Sequence, residues 1–163
     1  MKNENSSSSK AVSAIPKGFH TVTPFLVIND APKVIEFIKK AFDGTEDFKL
    51  MTDDNQVMHC SMRIGDSNIM IADAMDSMPE QRAMLFLYVD DVDRVYKKAI
   101  AAKGESVRDV RNEFYGDRAG AVKDPSGLTW WIATHVEDVS DEELRKRSKE
   151  AEDQMKKAEP MEH

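Results

Sequence analysis

Cysteine is almost absent from this sequence of 163 residues, and Cys60 is the only one. A lone cysteine cannot form a disulfide within the chain, which excludes a small secreted domain held together by disulfides. The expected location is therefore the cytoplasm. No apolar run reaches the length of a membrane-spanning helix or of a signal-peptide core, so the sequence predicts no membrane partner.

Positive charge is also scarce. Lysine and arginine number 23 against 30 aspartates and glutamates, which gives a formal net charge of -7. Nucleic acids and anionic membranes both need a basic protein surface, so neither is an expected partner. Hydrophobic residues make up 40% of the chain, enough for the core of one domain or of two small modules that share a core.

The two ends of the chain differ in composition from its middle. Residues 1–18 are rich in serine and other polar residues, so we expect a disordered tail there. Residues 140–163 are highly charged and begin with Ser140 followed by acidic residues, which is the pattern of a helix start. The globular domain is therefore expected over residues 19–139, with a helical tail after it.

Strand and helix patterns alternate in the first half of the domain. Residues 21–28 are rich in strand-forming residues, and residues 31–42 carry apolar residues at helical spacing. A further strand is expected over residues 48–53, and a hairpin over residues 56–64 and 68–74 with a glycine turn between them. The first half therefore predicts the order β-α-β-β-β.

The second half repeats this order. A strand over residues 84–89 and a helix over residues 92–104 precede a short extended segment and a hairpin around the turn D-P-S-G at residues 124–127. In that turn the aspartate accepts hydrogen bonds, the proline fixes φ and the glycine tolerates a positive φ. Asp30 and Asp91 follow the first strand of each half, so an internal duplication is the simplest account.

The domain ends in the stretch YGDRAGAVKDPSGLTWWIATHVEDVS, which begins at Tyr115. This stretch is similar to the pattern of the PhnB-like branch of the vicinal oxygen chelate superfamily, which includes glyoxalases, extradiol dioxygenases and bleomycin-resistance proteins. The first-half hairpin QVMHCSMRIGDSNIMIADA resembles the same branch. The resemblance spans residues 19–139 and implies an α+β fold. Two βαβββ modules, at about 19–78 and 79–139, would form a U-shaped mixed-sheet cleft with the helices outside.

Metal-dependent members of this superfamily place four ligands, supplied by His, Glu or Gln, on cleft-facing strand positions, two in each module. The family pattern puts these positions at Thr23, Met70, Met84 and Trp131. None of the four is a good ligand for zinc, nickel, iron or manganese, which prefer imidazole or carboxylate. A shift of one residue brings in only isoleucine or tryptophan: Ile69, Ile71, Trp130 and Ile132. We therefore expect no metal centre and no cofactor.

Two histidines are the remaining candidates for chemistry. Alternation along the strand puts Met58 and Cys60 toward the helix-covered side and His59 toward the cleft. There His59 is either a base or hydrogen-bond donor to a ligand, or a polar strand residue anchored to a neighbour. His135 follows the last strand and is expected to fix the exit of the chain. Cys60 is a poor candidate nucleophile, because it points into the core and no paired base is identifiable.

The predicted cleft is apolar and aromatic with a few polar points, which suits an organic ligand. The predicted ligand-binding residues are Phe25, His59, Arg63, Met70, Met84, Phe86, Tyr115, Arg118 and Trp131. Alternation also places Val27, Ser61 and Tyr88 in this cleft. Two alternatives stay open: several of these side chains fill a closed cleft as core, and Arg118 pairs with Asp117 to shape its loop instead of meeting an anionic ligand.

The leading functional hypothesis is a metal-free protein that binds or sequesters a small, partly hydrophobic organic molecule, as the resemblance to bleomycin-resistance proteins implies. The alternative is a metal-dependent lyase, isomerase or dioxygenase, whose chemistry would need the ion. A third hypothesis is a structural or regulatory dimer with a filled cleft. We expect a homodimer, because a U-shaped sheet leaves edges and one open side that a second copy commonly covers.

Overall fold

The computed structural model describes residues 14–158. The predicted β-α-β-β-β order occurs twice, and most of the disordered tail predicted for residues 1–18 lies outside the described residues. The first module contains β1 (Phe25–Ile28), α1 (Ala31–Phe42), β2 (Thr45–Met51), β3 (Val57–Ile64) and β4 (Ser67–Asp73). The second contains β5 (Leu85–Tyr88), α2 (Val92–Ala101), β6 (Glu105–Asn112), β7 (Asp117–Lys123) and β8 (Thr129–His135), and α3 (Asp141–Ala158) follows it.

Each module forms its own four-stranded mixed sheet. The strand order is β1-β4-β3-β2 in the first and β5-β8-β7-β6 in the second, so the two sheets have the same topology. The first strand of each module pairs in parallel with the last, and the other pairs are antiparallel. The registers also match. Phe25 lies beside Met70 in the first sheet, and Phe86 lies beside Trp131 at the equivalent positions of the second. The predicted α+β fold of two βαβββ modules is therefore confirmed.

The start of each helix is held by the last strand of its own module. The backbone N–H of Ala31 donates to the buried carboxylate of Asp73, with 2.7 Å between nitrogen and oxygen. At the equivalent place in the second module, the N–H of Val92 donates to the hydroxyl of Thr134 over 2.9 Å. In both cases a side-chain oxygen satisfies a backbone donor that the first helical turn leaves unpaired. These matched contacts support the internal duplication inferred from the order of elements.

The two modules share one hydrophobic core, in which α1 and α2 pack against each other. The ring of Phe42, at the end of α1, contacts the indole of Trp130 in β8, with ring centroids 4.9 Å apart. At the surface, an ion pair between Asp43 and Lys98 links the end of α1 to α2. The helix-covered sides of both sheets are therefore buried together.

Several element boundaries differ from those predicted, and the strand predicted over residues 48–53 is β2 at Thr45–Met51. β1 begins at Phe25 and not at residue 21, because Pro24 has no N–H to donate and the side chain of Thr23 bonds the segment before it. α2 ends at Ala101 and not at residue 104. The chain turns at Gly104, whose backbone N–H donates to the carbonyl oxygen of Ala99. A side chain at position 104 would collide with that same oxygen.

Arg147 ties α3 to the second module. Its guanidinium contacts the carboxylates of Glu137 at 2.8 Å and Glu143 at 2.9 Å, and it donates to the carbonyl oxygen of Phe114. The C-terminal helix starts next to Ser140, and Arg147 links it to the second module. Among the described residues, no helix is both long enough and apolar enough to cross a membrane.

Candidate ligand-binding site

An aromatic cluster lies on the first sheet, on the side away from the buried Cys60. The ring of His59 contacts Phe25 and Phe48, with centroid distances of 5.8 and 6.2 Å. The Nε2 atom of His59 lies 3.1 Å from the hydroxyl of Ser61, which anchors the imidazole. We call Phe25, Phe48 and His59 the first aromatic face. Phe25 is 41% exposed and Phe48 55%, so this face is an open apolar surface.

Three other predicted site residues lie outside the ring contacts of this face. Arg63 of β3 pairs with Asp47 of β2, with its Nε and Nη2 atoms 3.3 and 3.2 Å from the two carboxylate oxygens. Met70 lies beside Phe25 in the β1–β4 pair and is partly buried, whereas Met84 precedes β5 and is exposed. Asp47 therefore neutralises Arg63, and Met70 extends the apolar surface.

A second aromatic cluster lies on the second sheet. Phe86 and Trp131 are neighbours in the parallel β5–β8 pair, and their rings are parallel to within 3° with centroids 6.0 Å apart. Tyr88, two residues further along β5, contacts Phe86 at a centroid distance of 5.2 Å. We call Phe86, Tyr88 and Trp131 the second aromatic face. Phe86 is 41% exposed and Tyr88 66%, so this face is open as well.

Arg108 of β6 extends the second aromatic face. Its guanidinium carbon lies 5.4 Å from the centroid of the Trp131 indole, a cation–π contact. Glu113 neutralises this guanidinium through a contact of 2.9 Å and also contacts Arg111. Neither Arg108 nor Phe48 is among the site residues predicted from the sequence. Each lies at an irregularity in strand pairing, where simple alternation no longer tells which side of the sheet a residue faces.

A series of hydrogen bonds runs from the second aromatic face to the end of β8. The hydroxyl of Tyr88 donates to one carboxylate oxygen of Asp117 over 3.0 Å, and Nδ1 of His135 lies 2.8 Å from the other oxygen. Nε2 of His135 lies 3.0 Å from Asp138. Carboxylates only accept, so an imidazole protonated on both nitrogens satisfies both contacts. The bonds to Asp117 and then to Asp138 accordingly raise the pKa of His135.

Tyr115 precedes β7 and Arg118 belongs to it, and their surroundings differ. Two nitrogens of the Arg118 guanidinium each lie 2.8 Å from an oxygen of Asp93 in α2. Its partner is therefore Asp93 and not Asp117, and the ion pair places Arg118 on the helix-covered side of β7. Tyr115 packs edge-on against Phe114, and burial raises the pKa of its hydroxyl.

The positions at which the superfamily pattern places metal ligands do not fit a metal ion. Thr23 and Met84 precede β1 and β5, and Met70 and Trp131 supply a thioether and an indole. Zinc, nickel, iron and manganese need imidazole or carboxylate ligands instead. Within residues 14–158, no group of three or more histidine, cysteine, aspartate or glutamate side chains is placed to hold a metal ion.

Cys60 is fully buried on the core side of β3, as alternation predicts. Burial raises the pKa of its thiol to about 11. A thiol with so high a pKa carries little of the reactive thiolate at neutral pH. Cys60 therefore packs the core, and its environment does not favour a nucleophile.

Comparisons with known proteins give relatives in sequence and in fold. The family model of the Glyoxalase/Bleomycin resistance protein/Dioxygenase superfamily matches residues 18–132. Uncharacterised proteins of Mycobacterium bovis and Mycobacterium tuberculosis are each 30% identical to this chain over 135 residues. The matches cover 76% of this chain, with 89% of the first relative and 79% of the second.

Solved structures with a similar fold include TioX of Micromonospora sp. ML1, with a TM-score of 0.60 and 15% identity over 74% of this chain and 100% of TioX. The fosfomycin resistance protein FosX of Listeria monocytogenes has a TM-score of 0.58 and 16% identity over 77% of this chain and 97% of FosX. The PhnB protein of Bacillus cereus has a TM-score of 0.54 and 16% identity over 71% of this chain and 99% of its own. At such low identity, each likeness establishes the fold alone.

Proposed function

Because the chain belongs to the glyoxalase/bleomycin resistance protein/dioxygenase superfamily, we propose that it binds or sequesters a small, partly hydrophobic organic molecule without a metal ion. The observation that carries this proposal is the parallel stack of Phe86 and Trp131 on the open side of a sheet. The broad apolar faces of such rings stack on flat organic molecules. A pocket wall of this kind holds a ligand through apolar contact and a few polar groups.

The ligand is proposed to contact both aromatic faces. Phe25, His59 and Met70 contribute from the first sheet, and Phe86 and Trp131 from the second. The predicted arginines have a different part, because Arg63 and Arg118 are each paired with an aspartate. We therefore expect neither arginine to supply a free positive charge to the ligand, and Arg118 lies on the helix-covered side of its sheet.

We further propose a homodimer that works in the cytoplasm. In the described part of the chain, no ring contact or hydrogen bond joins the first aromatic face to the second. Exposed apolar surfaces of this kind commonly mark an interface or a ligand site. A dimer that sets the first face of one protomer against the second face of its partner would enclose a ligand between them.

The two other hypotheses have less support. A metal-dependent lyase, isomerase or dioxygenase needs an ion to stabilise developing charge, and the donor set of Thr23, Met70, Met84 and Trp131 does not fit one. A purely structural dimer with a filled cleft would bury its aromatic side chains within each module. The exposure of Phe48 and Tyr88 favours binding over that reading.

Native mass spectrometry of the purified full-length chain tests metal content, bound ligand and subunit number together. We expect two chains per particle, with much less than one metal ion per chain by elemental analysis after dialysis without chelator. One tightly held ion per chain, lost on replacement of His59 by alanine, would overturn the metal-free proposal and favour the enzyme.

Trp131→Ala tests the ligand site directly. Removal of an aromatic anchor should weaken binding of a hit from a small-molecule screen by about 1–3 kcal/mol, with the fold retained. Ile100→Ala is the matched control, because Ile100 is a partly exposed apolar residue of α2 outside both faces. Binding that is unchanged in Trp131→Ala would contradict the role of the second aromatic face.

A further inference from the structure

The hydroxyl of Tyr88 is the polar group at one end of the second aromatic face. Its ring is largely exposed and contacts Phe86, while its O–H donates to Asp117 over 3.0 Å. Asp117 is 2% exposed, and its other oxygen is held by His135. A buried carboxylate in a fixed position thus receives the only proton that this hydroxyl can donate.

The use of that proton decides what Tyr88 can offer a ligand. A tyrosine hydroxyl has one proton to donate and oxygen lone pairs that accept. With the proton directed at Asp117, the oxygen presents only acceptor lone pairs to the open side. The bond to Asp117 also raises the pKa of Tyr88, which keeps the hydroxyl protonated even further above neutral pH. Donation to a carboxylate polarises the hydroxyl and strengthens its oxygen as an acceptor.

The charges around this face are already paired. Arg108, which lies over the Trp131 indole, is neutralised by Glu113. Asp117 is paired with His135. An anionic ligand would therefore have to break an existing ion pair, whereas an uncharged aromatic molecule would not. The surroundings favour a neutral ring system with a polar group at one edge.

Building on the proposed function, we propose that the second aromatic face selects planar, uncharged aromatic molecules that carry a hydroxyl or N–H donor at one edge. The ring system packs against the exposed parts of Phe86 and Trp131, and the donor bonds to the hydroxyl oxygen of Tyr88. Asp117 acts as a positioning residue that holds the Tyr88 hydroxyl in its accepting orientation. A molecule with the same rings but no donor gains the apolar contact alone.

Isothermal titration calorimetry of the full-length chain with two probes tests this selection. The probes are 2-naphthol, which has a hydroxyl donor, and 2-methoxynaphthalene, which has similar rings and no donor. One hydrogen bond is expected to make 2-naphthol bind about 3- to 10-fold more tightly to the wild type. Tyr88→Phe should bring the ratio of the two affinities to about one, mainly through weaker binding of 2-naphthol.

Tyr96→Phe is the matched control, because it removes a tyrosine hydroxyl from α2, where the group bonds to Ser106. This variant should keep the wild-type preference. Equal binding of both probes to the wild type, or a preference that survives in Tyr88→Phe, would overturn the donor selection. If donor selection fails but Trp131→Ala still weakens the binding of both probes, the proposed function is retained. No saturable binding of either probe would overturn both proposals.

Discussion

Trp130 and Trp131 are consecutive in β8 and lie on opposite sides of the sheet. Trp130 is 0% exposed, contacts Phe42 and donates its indole N–H to Asp124 over 2.9 Å. Trp131 stacks on Phe86 and is only partly buried. Successive side chains of a strand point to opposite faces, so two identical neighbours have different surroundings. One indole packs the core, and the other forms an open aromatic surface.

Replacing each tryptophan by alanine should therefore have different effects on stability. Trp130→Ala should lower the free energy of unfolding by about 3–5 kcal/mol, because it leaves a cavity in a closed core. Trp131→Ala should lower it by less than about 2 kcal/mol, because solvent already reaches part of the ring. Denaturant unfolding followed by circular dichroism compares the two variants. Equal losses would contradict the placement of Trp131 on an open face.

Asp124 should be essential to the turn before β8. Its carboxylate accepts hydrogen bonds from the backbone N–H groups of Ser126 and Leu128 and from the Ser126 hydroxyl, at 2.7 to 3.0 Å, as well as from Trp130. Asp124→Ala leaves these donors unpaired and should cost about 2–4 kcal/mol of unfolding free energy. Asp66→Ala, in the exposed turn between β3 and β4, is the control and should cost less than about 0.5 kcal/mol. Similar losses in both variants would refute this role.

His135 should make stability depend on pH. Its bonds to Asp117 and then Asp138 raise the imidazole pKa above the ordinary value of 6.5 in the folded protein. The stabilisation is fully present below the unfolded pKa and is lost as pH rises through the raised pKa. The wild type should therefore melt at a higher temperature than His135→Asn. This difference should be larger at about pH 6 than at about pH 9. A difference that grows with pH would have the wrong sign.

A nuclear magnetic resonance titration of the His135 imidazole checks the cause of this shift. Asp117→Asn should lower its pKa more than Asp138→Asn does, because the contact with Asp117 is the larger influence. Asp117 is buried whereas Asp138 is exposed to solvent, which screens its charge. The reverse order would show that the exposed carboxylate dominates.

The protein should sediment as a dimer at tens of micromolar. Phe48 and Tyr88 leave large apolar surfaces on separate sheets, and a second copy is expected to cover them. Phe48→Asp places a charge on the first aromatic face and should shift the distribution toward monomer. Val107→Asp, an exposed position of β6 outside the ring contacts, is the matched control. A wild-type monomer in velocity sedimentation would contradict the dimer.

The amino-acid sequence by itself determined the elements and their order. The helix predicted over residues 31–42 is α1 from end to end, and the β-α-β-β-β order recurs as predicted. These features follow from local periods, 3.6 residues for a helix and two for a strand, which need no knowledge of distant contacts. Alternation also placed Cys60 in the core and His59 on the opposite side.

Only the tertiary structure decided where alternation breaks and which polar groups meet. Met58, predicted to face the helix-covered side, is exposed, because β3 shifts register between Val57 and His59. Such a bulge depends on pairing with another strand and leaves no local sequence signal. Likewise, the series from Tyr88 through Asp117 to His135 joins three different strands. Residues so far apart in the chain become neighbours only when the sheet forms, so no local pattern could predict their bonds.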